Sequence, residues 1–207
     1  MSLADLESRL NLIASAGRRG GQALPGLILM TDQTRLNDPL PAVRALPPGS
    51  AVILRHYADP GRAELAARLV AETRRRRVFV LIAGDARLAL RVGAHGLHLS
   101  EAMVRRGDGT WRNWRKPGWL VTAAAHSPQA LVLARRAGAD AALLSPVFPT
   151  ASHPGALPLG LIRFASWCRC SPIAVYALGG ITSQNARRLQ GSSAKGIAGI
   201  GGFVDKA

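Results

Sequence analysis

Long apolar segments are missing from this 207-residue chain, since no run reaches the roughly 18 residues that a membrane-spanning helix needs. The start of the chain also lacks the basic segment followed by an apolar stretch that marks a secretory signal peptide. We therefore expect a cytoplasmic protein without a membrane partner. Hydrophobic residues make up 48% and charged residues 19% of the chain, a balance that excludes an intrinsically disordered protein.

Metal-binding patterns are scarce as well. The two cysteines, Cys168 and Cys170, are too few for a structural zinc site, and we expect both to be reduced, inert thiols. The five histidines form neither an H-x-H nor an H-E-x-x-H motif. The sequence therefore predicts no metal site.

Acidic residues and lysine are the other shortages. Lysine and arginine total 27 against 12 aspartates and glutamates, which gives a net charge of +15, and only Lys116, Lys195 and Lys206 are lysines. Such a charge attracts nucleic acid or phosphorylated metabolites. However, the basic residues are spread along the chain, no nucleic-acid motif occurs, and the one dense run, Arg74–Arg77, is typical of a solvated helix end. We expect no nucleic-acid partner.

What the chain does contain is a regular alternation of short apolar runs with helical patterns. The apolar runs are Leu27–Met30, Ala51–Leu54, Val78–Ile82, Gly96–Leu99, Leu120–Ala124, Ala141–Leu144, Ile173–Leu178 and Gly196–Ile200. The helical patterns are Pro39–Leu46, Gly61–Arg76, Ala86–Val92, Ala102–Trp114, Pro128–Ala137, Leu159–Cys168 and Ser183–Leu189. This alternation predicts an α/β fold with an all-parallel sheet, and runs that are apolar throughout fit a sheet covered by helices on both faces. We predict a single (β/α)8 TIM barrel, with an open doubly wound sheet as the alternative.

The first residues form a separate element in this prediction. Leucine and isoleucine recur at helical spacing over residues 2–16, which predicts an extra N-terminal helix. A glycine-rich stretch ends it. We therefore divide the chain into an N-terminal helix and linker, residues 1–21, and a barrel, residues 22–207.

Glycines follow the seventh and eighth apolar runs, in Ala177–Ile181 and Gly196–Phe203. In (β/α)8 barrels the loops after these two strands often bind phosphate through backbone N–H groups. Tight turns that need a positive φ would contain the same glycines, so the pattern leaves both interpretations open.

Histidines are concentrated where a barrel carries its chemistry, at the carboxyl ends of the strands. The four predicted to lie there are His56, His98, His126 and His153. Histidine suits proton transfer because it titrates near neutral pH. His126 is the best catalytic candidate, since the small residues Ala123–Ala125 leave room for a ligand, and capping of the next helix is the alternative. His98 lies between two leucines and is equally well interpreted as filling the barrel interior.

Arg55 ends the second apolar run, where an unpaired charge would be costly. A guanidinium binds carboxylate or phosphate well, so an anionic ligand is one possible partner. An internal ion pair with Asp32 or Asp85 is the other.

The stretch after the sixth run, residues 145–158, has four prolines and no regular periodicity. Such a stretch at this place is typical of a flap over an active site. Its hydroxyl groups on Thr150 and Ser152 could donate to a phosphate.

Six motifs together resemble the family of thiamine-phosphate synthase and its relative, the TenI thiazole tautomerase: Leu29–Asp32, Val92–Leu99, Ala125–Ser127, Gly138–Asp140, Ser145–Thr150 and Ala177–Ile181. Each motif is weak alone, but their order and spacing are specific. The resemblance covers residues 27–203. It implies an enzyme of thiamine biosynthesis with a thiazole phosphate as its small-molecule ligand. The phosphate-binding residues that it implies are Thr150, Ser152, Gly180, Ile200 and Gly201.

The synthase branch of this family joins hydroxymethylpyrimidine diphosphate to the thiazole phosphate, with Mg²⁺ neutralising the leaving diphosphate. Among the family's strand-2 residues only Arg55 is matched here. The positions that carry metal or diphosphate ligands in the family hold other residues: Ala83, Gly84, Ala102, Ala124 and His153. Asp85 and Glu101 each lie one position from a lost carboxylate or amide and are candidates to replace it.

The tautomerase branch moves a proton on a thiazole carboxylate phosphate and needs neither metal nor diphosphate. The resemblance assigns the acid–base role to His126. We therefore favour a tautomerase (an isomerase) without a cofactor, in which Arg55 and His98 are catalytic together with His126, and His56 and His153 are further active-site residues. The alternatives are a divergent Mg²⁺-dependent synthase (a transferase) and a non-catalytic protein that binds a phosphorylated ligand. Because relatives are often oligomeric, the resemblance also implies a homodimer.

Overall fold

The computed structural model describes residues 18–19, 22–107, 109–150, 155 and 157–200, with side chains from residue 24 onward. The predicted helix over residues 2–16 lies outside the described residues. A short antiparallel ladder, in which Arg18–Arg19 pairs with Gln22–Ala23, precedes the main sheet.

Eight parallel strands close into a barrel in which each strand pairs with its neighbours in sequence and the last pairs with the first. They are β1 (Leu27–Met30), β2 (Ala51–Leu54), β3 (Phe79–Ala83), β4 (Gly96–Leu99), β5 (Leu120–Ala125), β6 (Ala141–Leu144), β7 (Ala174–Leu178) and β8 (Gly196–Gly199). The predicted (β/α)8 barrel is confirmed, and the open sheet is excluded because β8 pairs with β1.

The helices pack around this barrel. They are α1 (Leu40–Arg44), α2 (Arg62–Thr73), α3 (Ala86–Val92), α4 (Glu101–Arg106), α5 (Pro128–Ala137) and α6 (Gly160–Arg169), with two 3₁₀ helices, η1 (Thr110–Trp114) and η2 (Ala186–Leu189). No helix in the described ranges is long and apolar enough to cross a membrane.

Two predicted helices differ from the structure. The pattern over Ala102–Trp114 is not one helix, because Gly107 takes a left-handed conformation (φ 68°) and ends α4; Thr110–Trp114 then forms η1, which buries Trp111. The pattern over Ser183–Leu189 forms only η2, a single short turn.

Alternate strand residues face the barrel interior and the surrounding helices, as β geometry requires. The buried interior set is Ile28, Met30, Ala51, Ile53, Leu81, Ala83, Ala141, Leu143, Tyr176 and Ala198. Tyr176 lies in the lower interior, at the amino ends of the strands, and its hydroxyl donates to the Pro25 carbonyl at 2.6 Å. Gly196 faces this ring: a Cβ there would overlap the Gly26 carbonyl and lie 3.0 Å from Tyr176 Cε1. The lower end of the barrel is therefore packed, and the loops at the carboxyl ends of the strands surround its mouth.

Short polar side chains fix three of those mouth loops to the helices that follow them. Asp85, Ser100 and Ser127 accept from backbone N–H groups three residues ahead and cap α3, α4 and α5. The loops after β3, β4 and β5 therefore have defined exits, which holds the residues between strand and helix in place.

Candidate active site

The interior-facing register of the strands continues into the mouth, and this determines which polar side chains meet there. Arg55 and Ser145 lie two positions beyond the interior residues Ile53 and Leu143, and His126 lies four positions beyond Thr122 on the same side of β5. His98 and Thr122 occupy interior positions on β4 and β5, opposite each other in the sheet register. The candidate site therefore draws on the ends of β2, β4, β5 and β6.

His126 lies directly after β5 and is 44% exposed. Its Nδ1 is 2.6 Å from Oε2 of Glu101, the first residue of α4. The other oxygen of Glu101 accepts from Nε and Nη2 of Arg105, both at 2.6 Å. Glu101 thus links an arginine to the histidine at the mouth.

The charge of Glu101 follows from these contacts. Partial burial acts to raise the pKa of Glu101, but the hydrogen bonds from His126 and Arg105 outweigh it and bring the pKa below its ordinary value. An ionised carboxylate only accepts hydrogen bonds, so Nδ1 of His126 carries the proton in this pair. In the tautomer with its proton on Nδ1, the lone pair is on Nε2.

Arg55 has a weak internal partner. Its Nη2 lies 4.0 Å from Oδ2 of Asp32, with 31% and 21% of the two side chains exposed. The other carboxylate oxygen of Asp32 already accepts from the backbone N–H groups of Thr34 and Arg35. The guanidinium of Arg55 is therefore held at the mouth by a loose ion pair and remains partly open to solvent.

His98 lies below Arg55 in the barrel interior and is only 3% exposed. Its Nδ1 is 2.9 Å from Thr122 Oγ1. Burial and, second, the positive charge of Arg55 lower the pKa of His98 from 6.5 to about 3. His98 is therefore neutral near pH 7, a hydrogen-bonding group beneath the mouth.

His56 lies elsewhere. It alternates with Arg55, so its side chain is on the outer side of the barrel, buried, with Nδ1 2.9 Å from Thr31 Oγ1 and Nε2 3.3 Å from the Asn37 carbonyl. The same hydroxyl of Thr31 accepts from the Arg55 backbone N–H. The structure thus places His56 in the link between the β1 and β2 loops and away from the mouth.

The loop after β6 is joined to the glycine turn after β7. Val147 N–H donates to the Leu178 carbonyl at 2.9 Å, and Phe148 N–H donates to the Gly179 carbonyl at 3.1 Å. At Gly180 φ is 65°, and a Cβ would overlap the Pro149 carbonyl. Only glycine fits so close an approach at this turn.

The other predicted phosphate residues lie at the borders of this region. Thr150 is the last described residue of the first part of the flap, and Ile200 is the last described residue after β8. Ser152, His153 and Gly201 lie outside the described residues. We call the predicted phosphate-binding residues the phosphate cradle. Its described part is therefore Thr150, the turn at Gly180 and the end of β8.

A Mg²⁺ site of the synthase type does not fit the residues described here. Asp85 caps α3, Asp32 caps its own turn, and both oxygens of Glu101 are taken by cationic partners. Ala83, Gly84 and Ala102 supply no side-chain ligand. Among the residues that the structure describes, no group of three His, Cys, Asp or Glu side chains could hold a metal ion. Asp85 and Glu101, considered as replacement ligands, have other partners.

Comparisons with known proteins agree with this architecture. The model of the TMP-TENI family, described as thiamine monophosphate synthase, matches residues 27–203. The chain belongs to this family. The chain is similar to the thiamine-phosphate synthase of Thioalkalivibrio sulfidiphilus, 32% identical over 189 residues that cover 88% of this chain and 89% of the relative. That of Chlorobium luteolum is 34% identical over 184 residues, covering 84% and 82%.

A solved structure extends the likeness to three dimensions. The thiamine phosphate pyrophosphorylase from Pyrococcus furiosus superposes with a TM-score of 0.72 at 25% identity, covering 86% of this chain and 88% of that one. The family resemblance inferred from the six motifs is confirmed. The comparisons fix the superfamily and the barrel, and they leave the reaction to the residues at the mouth.

Sequence reasoning missed the partner of His126. Glu101 was considered only as a replacement metal ligand, although it follows β4 as His126 follows β5, and these strands are neighbours in any barrel of this order. A carboxylate and a histidine at the ends of adjacent parallel strands were the available signal.

Proposed function

We propose that this family member is a metal-free enzyme that binds a thiazole phosphate and tautomerises a thiazole carboxylate phosphate, with His126 as acid and base. The observation that carries the proposal is the 2.6 Å contact between His126 Nδ1 and Glu101 Oε2 at the barrel mouth. A histidine oriented by a carboxylate is the standard arrangement for proton transfer.

The pair supplies what a tautomerisation needs. His126 Nε2 takes a proton from one position of the substrate, and the resulting imidazolium is stabilised by the ionised Glu101. The same nitrogen then returns the proton to another position of the ring system, so that no proton is consumed. Arg105 keeps Glu101 charged and in place through its two contacts at 2.6 Å.

The two anionic groups of the substrate have separate partners in this proposal. Arg55, with its loose ion pair and partly open guanidinium, holds the carboxylate. The phosphate is bound at the turn of Gly180, at Thr150 and at Ile200, where backbone N–H groups and a hydroxyl are the donors; Ser152 and Gly201, outside the described residues, remain predictions from the sequence. His98 contributes a neutral hydrogen-bonding group beneath them.

Synthase chemistry is the second candidate, because the relatives reported above carry that name. It requires Mg²⁺ on a diphosphate, whereas Asp32 and Asp85 accept from backbone N–H groups and Glu101 pairs with Arg105 and His126. We therefore propose that this reaction is weak or absent here. The non-catalytic alternative predicts thiazole phosphate binding without turnover. A homodimer and a cytoplasmic location remain predictions from the sequence.

The test compares steady-state kinetics of the wild-type protein with His126→Ala and Glu101→Gln on the thiazole carboxylate phosphate tautomer. We expect kcat to fall by at least about 100-fold in His126→Ala, the usual contribution of a general acid–base group. Glu101→Gln should lower kcat with a smaller change in KM. Glu64→Gln is the matched control, because it also replaces a carboxylate by a carboxamide, at an exposed position in the first turn of α2. Full turnover by His126→Ala would refute the proposal.

A further inference from the structure

Tyr57 is a large side chain exposed at the mouth without a role in the chemistry above. It lies in the turn that follows β2, three residues after the end of the strand, and 58% of its surface is exposed. An exposed aromatic ring beside a ligand-binding mouth offers apolar area that a ligand can cover.

Arg62 holds this ring from one side. Its guanidinium carbon lies 5.3 Å from the centre of the Tyr57 ring, and its Nη2 donates to the Ala83 carbonyl at 2.5 Å. The guanidinium is therefore anchored on the end of β3 and supports one face of the ring by a cation–π contact. Its Nε is buried without a hydrogen-bond partner among the described residues, so this geometry has a cost in free energy.

The edge of the ring lies against a position that has no side chain. At Gly84, where φ is 73°, a Cβ would lie 3.6 Å from Tyr57 Cε1 and 3.9 Å from Met103 Sδ. Met103 is in the first turn of α4, two residues after Glu101. The Tyr57 ring thus belongs to the sector of the mouth formed by the loops after β2 and β3. The His126–Glu101 pair belongs to the neighbouring sector, formed by the loops after β4 and β5.

We propose that Tyr57, supported by Arg62, is a stacking surface for the planar heteroaromatic ring of the phosphorylated ligand. This inference rests on the proposed function for the identity of the ring, a thiazole. In this sector the chain presents an aromatic face next to Ala83 and Gly84, neither of which has a polar side chain, so this part of the mouth can offer a planar ring apolar contact. Stacking would orient the ring toward the sector that holds the proton-transferring histidine.

The experiment measures dissociation constants by isothermal titration calorimetry for thiazole phosphate, hydroxymethylpyrimidine phosphate and inorganic phosphate. The proteins are the wild type, Tyr57→Ala, Tyr57→Phe and, as a matched surface change, Val132→Ala on the outer side of α5. Tyr57→Ala should weaken thiazole phosphate about tenfold, the scale of base–aromatic stacking on alanine substitution, and leave inorganic phosphate unchanged. Tyr57→Phe keeps the ring and should keep the affinity.

The outcomes separate this inference from the function on which it rests. Thiazole phosphate binding that is equal in wild type and Tyr57→Ala refutes the stacking surface and leaves the thiazole ligand intact. An equal loss of affinity for thiazole phosphate and inorganic phosphate also refutes it, since Tyr57 would then not contact the ring of the ligand. If only hydroxymethylpyrimidine phosphate binds and responds to Tyr57→Ala, the stacking surface stands and the thiazole proposal fails. Absence of binding by either ring phosphate overturns the inference.

Discussion

His98 should make the stability of this barrel fall steeply in mild acid. Burial lowers its pKa in the folded protein from 6.5 to about 3, whereas the unfolded chain keeps the ordinary value. Above pH 6.5 neither state binds a proton at His98. As the pH falls from 6.5 toward 3, only the unfolded state binds it, and folding stability is lost over that window.

The expected loss from this residue is about 1.4 kcal/mol per pH unit inside the window, which amounts to roughly 2 kcal/mol at pH 5. That is a large part of the 5–15 kcal/mol by which folded domains are typically stable. His95 acts in the same direction, because burial also lowers its pKa and its Nδ1 accepts from the Val80 N–H. A variant of His98 alone is therefore needed to isolate its share.

The assay is urea unfolding of the wild type and His98→Gln at several pH values between 7 and 4.5. Glutamine keeps a polar group near Thr122 and removes the titration, so the difference in unfolding free energy between the two proteins should shrink by roughly 2 kcal/mol from pH 7 to pH 5. The slope with pH is the readout, because His98→Gln carries its own constant offset. A difference that stays constant between pH 7 and pH 5 would show that the pKa of His98 is not lowered in the folded protein.

Three further predictions follow from single contacts. Tyr176→Phe leaves the buried Pro25 carbonyl without its 2.6 Å donor and should cost about 1–3 kcal/mol in urea unfolding; an unchanged midpoint would contradict this contact. Gly180→Ala places a Cβ against the Pro149 carbonyl at a positive φ, so phosphate affinity by calorimetry should fall, and unaltered affinity would exclude this turn from the cradle. Arg105→Gln removes a contact that lowers the pKa of Glu101, so the acid limb of the pH–rate profile should move to higher pH; a profile superimposable on that of the wild type would exclude the link.

The strands were predictable because runs buried on both faces have little else they can form. Four strands match their predicted bounds, and the other four differ by one residue at one or both ends; the matching strands are Leu27–Met30, Ala51–Leu54, Gly96–Leu99 and Ala141–Leu144. The helix over Ala102–Trp114 was predicted too long, because a helical pattern does not reveal that Gly107 takes the left-handed conformation that ends it.

The site was harder to predict than the fold. A position at a strand end predicts that a side chain is near the mouth. The register of the strand determines whether that side chain faces the barrel interior or the outer side. Arg55 and His56 are neighbours in sequence, yet one belongs to the mouth and the other is buried behind it. The contact between Glu101 and His126 joins residues 25 positions apart and depends on the pairing of β4 with β5 and on the caps of α4 and α5.

We propose above that this family member transfers a proton on a thiazole carboxylate phosphate without a metal. One preparation of the protein is tested in two assays. The first measures turnover of the thiazole carboxylate phosphate tautomer in the presence of a chelator. The second measures thiamine phosphate formed from hydroxymethylpyrimidine diphosphate and thiazole phosphate with Mg²⁺. We expect turnover of the first, lost in His126→Ala, and little or no thiamine phosphate from the second. Robust Mg²⁺-dependent formation of thiamine phosphate, with no turnover of the tautomer, would contradict it.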